Sequence, residues 1–140
     1  INALINNKIN IFGGKQLRPN IHIDDMVSAY CEILNAPSET VNKEIFNVGY
    51  ENLSVDAIAK LVKETISNDK IELVYTTTDD NRSYHINSDK IKKVFGFTPK
   101  KNIKDAILGI IDAYNEGLIQ NGLDNPIYYN IKRMRELNLV

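Results

Sequence analysis

Arginine is scarce in this chain, with four among 140 residues. Two of the four stand in polar, turn-rich surroundings. Arg18 follows Gly13-Gly14-Lys15-Gln16-Leu17 and precedes Pro19, and Arg82 ends the run Thr77-Thr78-Asp79-Asp80-Asn81. A guanidinium presents a planar fork of N–H donors that fits a phosphate or carboxylate in bidentate fashion, which lysine does not reproduce. Arg18 is expected in a loop just past a strand end, a common place for ligand groups in α/β proteins. Two arginines on separate polar loops can converge on one diphosphate. Each also has a plainer reading. Arg18 can be a solvated loop residue, and Arg82 can pair with the neighbouring Asp79 or Asp80 on the surface.

The other candidate groups are weaker. His22, between Ile21 and Ile23, reads as a structural histidine on a short strand. Asp24 and Asp25 are adjacent, so their carboxylates diverge, and capping of a helix suits them better than shared chemistry. Cys31 falls on the apolar stripe of that helix and is expected in the core. One Tyr-x-x-x-Lys exists, Tyr128 and Lys132, but it follows Pro126 and has no preceding strand or nearby nucleophile. It is the kind of match that chance supplies, and it is not taken as a catalytic pair. The glycines at 13, 14, 49, 96, 109, 117 and 122 form neither G-x-G-x-x-G nor a P-loop. No Cys/His cluster has zinc spacing.

Composition narrows the classes further. Seventeen Lys and Arg against 18 Asp and Glu leave a net charge of −1, which excludes a surface that wraps nucleic acid non-specifically. Hydrophobic residues at 43% and charged residues at 25% are ordinary for an ordered globular chain. No apolar run approaches the ~18 residues of a membrane span, and no secretory signal pattern is visible. A single cysteine cannot form an internal disulfide, so a reducing, cytoplasmic setting is expected. The chain opens Ile1-Asn2-Ala3-Leu4-Ile5, on what reads as the apolar face of a helix, and is expected to be part of something longer.

These residues must be positioned by alternating elements. Residues 1–7 read as the last turns of a helix. Ile9, Ile11 and Phe12 form a short strand stopped by Gly13-Gly14. Ile21-His22-Ile23 reads as a second strand, after which Asp24 or Asp25 opens a helix with Val27, Tyr30, Cys31 and Leu34 on one apolar face. Ile45 to Gly49 has the nearly continuous apolar pattern of a buried parallel strand. Ser54 caps a helix carrying Val55, Ile58, Ala59, Val62 and Ile66. Ile71–Tyr75 is a strand, Thr76–Asn81 a loop, and Tyr84 to Ile86 a short extended piece. Asn87 or Ser88 caps a helix that Gly96 ends. Asn102 caps the last strong helix, through Tyr114. Residues 117–130 are expected to be mostly irregular, and 131–140 a short helix. The alternation specifies an α/β chain without internal repeats.

The run from Ile9 to Asp25 resembles the extended short-chain dehydrogenase/reductase family, at the segment that opens the substrate-binding part of sugar-nucleotide epimerases and dehydratases. Glu44–Gly49 looks like that family's late strand, and Asn52-Leu53-Ser54-Val55 leads into its expected helix. Arg82-Ser83-Tyr84, then Asp89-Lys90-Ile91 and Gly96-Phe97-Thr98-Pro99, resembles its C-terminal signature. The likeness covers about residues 1–115. It implies that residues 1–140 are the C-terminal, substrate-binding portion of an extended Rossmann-type enzyme, with 117–140 as a C-terminal extension. The N-terminal Rossmann half would hold NAD or NADP and the catalytic Ser/Thr, Tyr and Lys, so no catalytic or cofactor-binding residue is expected here.

Residue by residue, the resemblance implies that Arg18 contacts the nucleotide diphosphate and that Arg82 lies near the second diphosphate contact. The strand edge at Ile11 and Phe12 would meet the nucleotide base, with Gln16 and Tyr84 lining the site. The chain departs from the family where Pro19 replaces a frequent Asp, and where Thr77-Thr78-Asp79 replaces Arg-Pro-Gly. The implied partner is a nucleotide-diphosphate sugar, and the implied assembly of the full-length enzyme is a homodimer. Two other readings stay open: a non-catalytic relative that binds a nucleotide or a protein on the same fold, and a free-standing small α/β binding module.

Overall fold

The computed structural model describes residues 1–80 and 82–139. Asn81, at the end of the loop expected from Thr76, and Val140, at the end of the expected last helix, lie outside the described residues. Helix α1 (Asn2–Asn6) leads into strand β1 (Lys8–Phe12) and then β2 (Leu17–Asn20). Helices α2 (Ile23–Leu34) and α3 (Ser38–Val41) follow, then β3 (Glu51–Ser54), α4 (Val55–Ile66) and β4 (Glu72–Thr76). Helices α5 (Asp89–Phe95) and α6 (Ile103–Asn115), a 3-10 turn at Pro126–Tyr128 and α7 (Asn130–Glu136) complete the chain. The α/β alternation of short strands and helices is as the sequence reading expects.

Two small sheets organise these elements. β1 and β4 are parallel, in register from Lys8 opposite Glu72 to Phe12 opposite Thr76. β2 and β3 are antiparallel, with Leu17 opposite Ser54 and Asn20 opposite Glu51. Helix α4 packs on β1 and against α6. Ile11, Ile71 and Ile91 are fully buried, joined by Ala3, Ala29, Ala59 and Ile107. The strong helices begin at the expected caps. Ser54 Oγ accepts the Ala57 N–H at 3.1 Å, and Asn102 and Asp105 form a reciprocal capping box. Gly96 ends α5, its N–H donating to the Lys92 carbonyl at 2.8 Å.

Several expectations are corrected. The second strand is Leu17–Asn20, not Ile21–Ile23, because its pairing with β3 rather than its own β-branching fixes its position. Arg18 therefore lies on a strand rather than in a loop. The N-cap of α2 is His22, whose Nδ1 accepts the Asp24 N–H at 3.1 Å. The buried Asp25 does different work: its carboxylate accepts the Lys100 N–H at 3.0 Å and the Lys101 N–H at 2.9 Å. The apolar stripe of α2 is real in spacing but faces outward, with Tyr30 61% and Leu34 80% exposed and Cys31 on the surface. Residues 45–49 form no strand, and Ile45 is exposed. A strand needs a neighbour for its backbone groups, and among the described residues none pairs with this run. The extended piece at Ile86 has no ladder either. The Asn52 side chain satisfies it instead, accepting the Ile86 N–H at 3.0 Å and donating to the Ile86 carbonyl at 3.1 Å.

Asp25 thus clamps the start of α2 to the segment that opens α6. Asp25→Ala strands two backbone N–H groups and is expected to destabilise the intact protein by about 2 kcal/mol. Asp25→Asn keeps one acceptor oxygen and should cost less. Urea unfolding midpoints check both, and a midpoint for Asp25→Ala equal to that of the native chain would remove the clamp.

Candidate functional site: an arginine pair beside a cleft

The parallel pairing of β1 and β4 makes both strands end on the same side, so the segments that follow them meet. β1 turns at Gly13 and Gly14, whose φ values of 78° and 117° suit glycine. The Gly13 N–H donates to the Thr76 carbonyl at 2.9 Å, which locks the turn to the end of β4. A Cβ on Gly13 would lie 2.8 Å from Thr78 Cγ2. Gln16 staples the turn: its Oε1 accepts the Gly14 N–H at 2.6 Å and its Nε2 donates to the Phe12 carbonyl at 2.6 Å. The Asp56 N–H reaches the Gly14 carbonyl at 3.0 Å and the Val55 N–H reaches that of Gln16 at 3.1 Å, so the first turn of α4 backs the loop.

Between these segments lies an open cleft of about 600 Å³, lined by Gly13, Lys15, Gln16, Tyr75, Thr76–Thr78 and Ser83. Ser83 joins it to β2 by accepting the Leu17 N–H at 2.9 Å. Immediately beyond, the two arginines come together. Arg18 Nη1 donates to the Arg82 carbonyl at 2.7 Å and to the Leu17 carbonyl at 2.9 Å. Arg82 grips Asp80 in a bidentate fork, Nε to Oδ1 at 2.7 Å and Nη2 to Oδ2 at 2.9 Å. Arg18 Nη2 stands 3.7 Å from the same carboxylate. The Arg18 guanidinium also lies 5.5 Å from the centre of the Tyr84 ring, a cation–π contact. The Arg82 fork holds the Asp80 carboxyl well below its usual range, at about 2, and the carboxylate in turn raises the pKa of Arg82.

Arg18 and Arg82 therefore lie side by side around Asp80, and the Arg82–Asp80 ion pair is present. Tyr84 belongs to the same cluster. Gln16 lines the cleft, but its amide is engaged at both ends. Phe12 stands exposed at the end of β1, with its carbonyl taken by Gln16. Ile11 is fully buried, so its side chain does not line the cleft. Lys132 lies over the ring of Tyr129, 4.3 Å from its centre. Sequence reading missed Tyr75, Asp56 and Lys60. The Tyr75 hydroxyl donates to Asp56 Oδ1 at 2.6 Å, and Lys60 Nζ pairs with Asp56 Oδ2 at 2.7 Å. Hydrogen bonding to Lys60, then to Tyr75, lowers the Asp56 pKa, and Asp56 raises that of Tyr75. Only the Asp56/Lys60 spacing of four could have been read from the sequence. Among the described residues no group of acidic, His and Cys side chains is arranged to hold a metal.

Residues 1–49 match the family model described as the NAD dependent epimerase/dehydratase family. No curated protein matches the chain. Solved structures match most of it. A UDP-glucose 4-epimerase with UDP-glucose from Thermotoga maritima is 25% identical with a TM-score of 0.70, over 83% of this chain and 38% of that one. A dTDP-glucose 4,6-dehydratase in complex with NAD from Bacillus anthracis is 20% identical with a TM-score of 0.68, over 94% and 39%. An L-threonine dehydrogenase from Phytophthora infestans is 12% identical with a TM-score of 0.70, over 81% and 39%. The chain thus spans less than two-fifths of the length of these structures. It is similar to NAD-dependent epimerases and dehydratases in sequence over residues 1–49, and to enzymes of this fold over most of its length. Among the described residues no helix is long and apolar enough to cross a membrane.

The Arg82–Asp80 fork has a titration signature. The Asp80 carboxyl should titrate near 2, and in Arg82→Ala it should return towards its ordinary 3.8. Its folded pKa is depressed, so whatever it adds to the order of this loop is present above 3.8 and lost as pH falls towards 2. Carbon-13 NMR of the Asp80 carboxyl checks this, and an unchanged midpoint in Arg82→Ala would dissolve the fork.

Proposed function

We propose that this chain is the nucleotide-sugar-holding portion of an NAD(P)-dependent sugar-nucleotide epimerase or dehydratase. The observation that carries the reading is the meeting of Arg18 and Arg82, from segments 64 residues apart, beside an open cleft. Two guanidinium groups form an anchor for a diphosphate, and the cleft next to it offers room for the groups on either side. The resemblance around Ile9–Asp25, the match over residues 1–49 and the 25%-identical epimerase support the same reading.

In this role the chain contributes orientation. Interactions with the remote nucleotide position the sugar, and that binding energy serves the reacting end. NAD or NADP does not fit these residues. The glycine pair after β1 leads into a strand, not a helix N-terminus, and Gln16 and Thr78 crowd Gly13. The dinucleotide and the catalytic groups are assigned to chain beyond these residues. Homodimeric assembly and a cytoplasmic location belong to the same proposal. The fold alone does not choose the substrate, since L-threonine dehydrogenase matches equally well. The arginine pair favours a diphosphate ligand over a small amino acid.

Two measurements test the reading. In the full-length protein, Arg18→Ala should weaken UDP-glucose or dTDP-glucose binding by more than tenfold in calorimetry, while L-threonine shows no saturable binding. Unchanged nucleotide-sugar affinity would remove Arg18 from the site. The 140 residues alone, mixed with NAD and a panel of nucleotide sugars, should give no turnover. Measurable turnover would mean that the chemistry has been placed in the wrong part of the protein.

A further inference from the structure

We infer that Asp80 is a resident anion of the arginine pair, which an incoming diphosphate displaces, so that this one carboxylate sets the affinity of the cleft. The inference rests on the diphosphate reading above and adds to it a competitor built into the chain.

The geometry supplies the argument. The Nε–Nη2 edge of Arg82, the edge that would grip a phosphate in a fork, is filled by both oxygens of Asp80. The Nη2 of Arg18 faces the same carboxylate at 3.7 Å, while its Nη1 is engaged with two backbone carbonyls. The donors of both guanidinium groups best placed for a shared ligand thus point at Asp80. Asp80 is not built in as core structure: its side chain is 38% exposed, and it lies in the loop after β4. Its backbone N–H is held separately, donating to Thr78 Oγ1 at 3.2 Å. Its Oδ1 also accepts the Arg82 backbone N–H at 3.2 Å, so displacement breaks that bond along with the fork, while the Thr78 contact keeps the Asp80 backbone anchored. A diphosphate carries charge on both phosphates and presents more acceptor oxygens than one carboxylate, so it can engage both arginines at once. Once Asp80 is displaced, its negative charge remains close and repels the ligand.

This differs from a positioning role, in which Asp80 would hold Arg82 ready for the ligand. The two assign opposite signs to the same substitution. The test is calorimetric titration of the full-length protein with inorganic pyrophosphate at low, fixed ionic strength, for the native protein, Asp80→Asn and Asp80→Glu. Pyrophosphate does not depend on the identity of the base. Removing one charge about 4 Å from the ligand in a water-exposed site should tighten binding roughly fivefold in Asp80→Asn. Asp80→Glu keeps the charge and should not tighten it. If the native protein binds pyrophosphate and Asp80→Asn binds equally or more weakly, the displacement role falls and the diphosphate reading stands. Equal tightening by Asn and Glu would also overturn it, since charge would not be the cause. If neither the native protein nor Asp80→Asn binds, both the diphosphate reading and this inference fail.

Discussion

A parallel pair of strands cannot be closed by a tight turn, and this constraint shapes the molecule. β1 and β4 run side by side from Lys8 opposite Glu72 to Phe12 opposite Thr76. Everything between them, from the Gly13 turn to the start of β4, is the crossover. The antiparallel pair β2–β3, helices α2 and α3 and helix α4 are contained in it. Because both strands point the same way, both release their chains at one end. The glycine turn and the threonine-rich loop are therefore neighbours in space though far apart in sequence. The hydrogen bond from Gly13 to the Thr76 carbonyl fixes that junction, and the cleft and the arginine pair both depend on it.

The same constraint explains what could be read from the residues. Helices α4 and α6 carry their own information: a cap, an apolar stripe at helical spacing and a defined start. Strands β1 and β4 were legible because short runs rich in apolar and aromatic residues end at glycine or at polar threonines. β2 was not, since Leu17-Arg18-Pro19-Asn20 has little strand character and is strand only through its pairing with β3. The run Ile45–Gly49 failed in the opposite way, with strand character in sequence but no neighbour to pair with. Helix α2 shows a related limit. Periodicity specifies that a helix has an apolar face, but what covers that face is a property of the surroundings. Tyr30 and Leu34 have the right spacing, yet both stand mostly exposed.

The candidate site was legible in its charges and illegible in its supports. Two arginines in a chain poor in arginine stood out, and the acidic pair beside Arg82 announced an ion partner. The sequence did not reveal that the carboxylate would face both arginines, because that depends on the 2.7 Å bond from Arg18 to the Arg82 backbone carbonyl. Gln16, expected to line the site, borders the cleft, and its amide acts as a brace between Phe12 and Gly14. The Tyr75–Asp56–Lys60 chain was hidden for the same reason. It links a strand residue to the first turns of a helix 19 residues away, and only the fold brings them together.

Two guanidinium groups held close together repel one another, so their proximity needs an explanation. Part of it is the Arg18 donation to a backbone carbonyl, which fixes one cation without neutralising it. The other part is Asp80, which supplies the missing negative charge while leaving the pair at the surface. A buried carboxylate in this place would be permanent structure, because withdrawing it would leave uncompensated charges in a poorly screened interior. An exposed one is held less firmly than a buried one, since water and salt screen each contact. The arginine pair is thus assembled by backbone geometry and neutralised by a carboxylate at the surface. Under the proposed displacement, the exposed carboxylate would give way only to an anion that engages both guanidinium groups more strongly than it does.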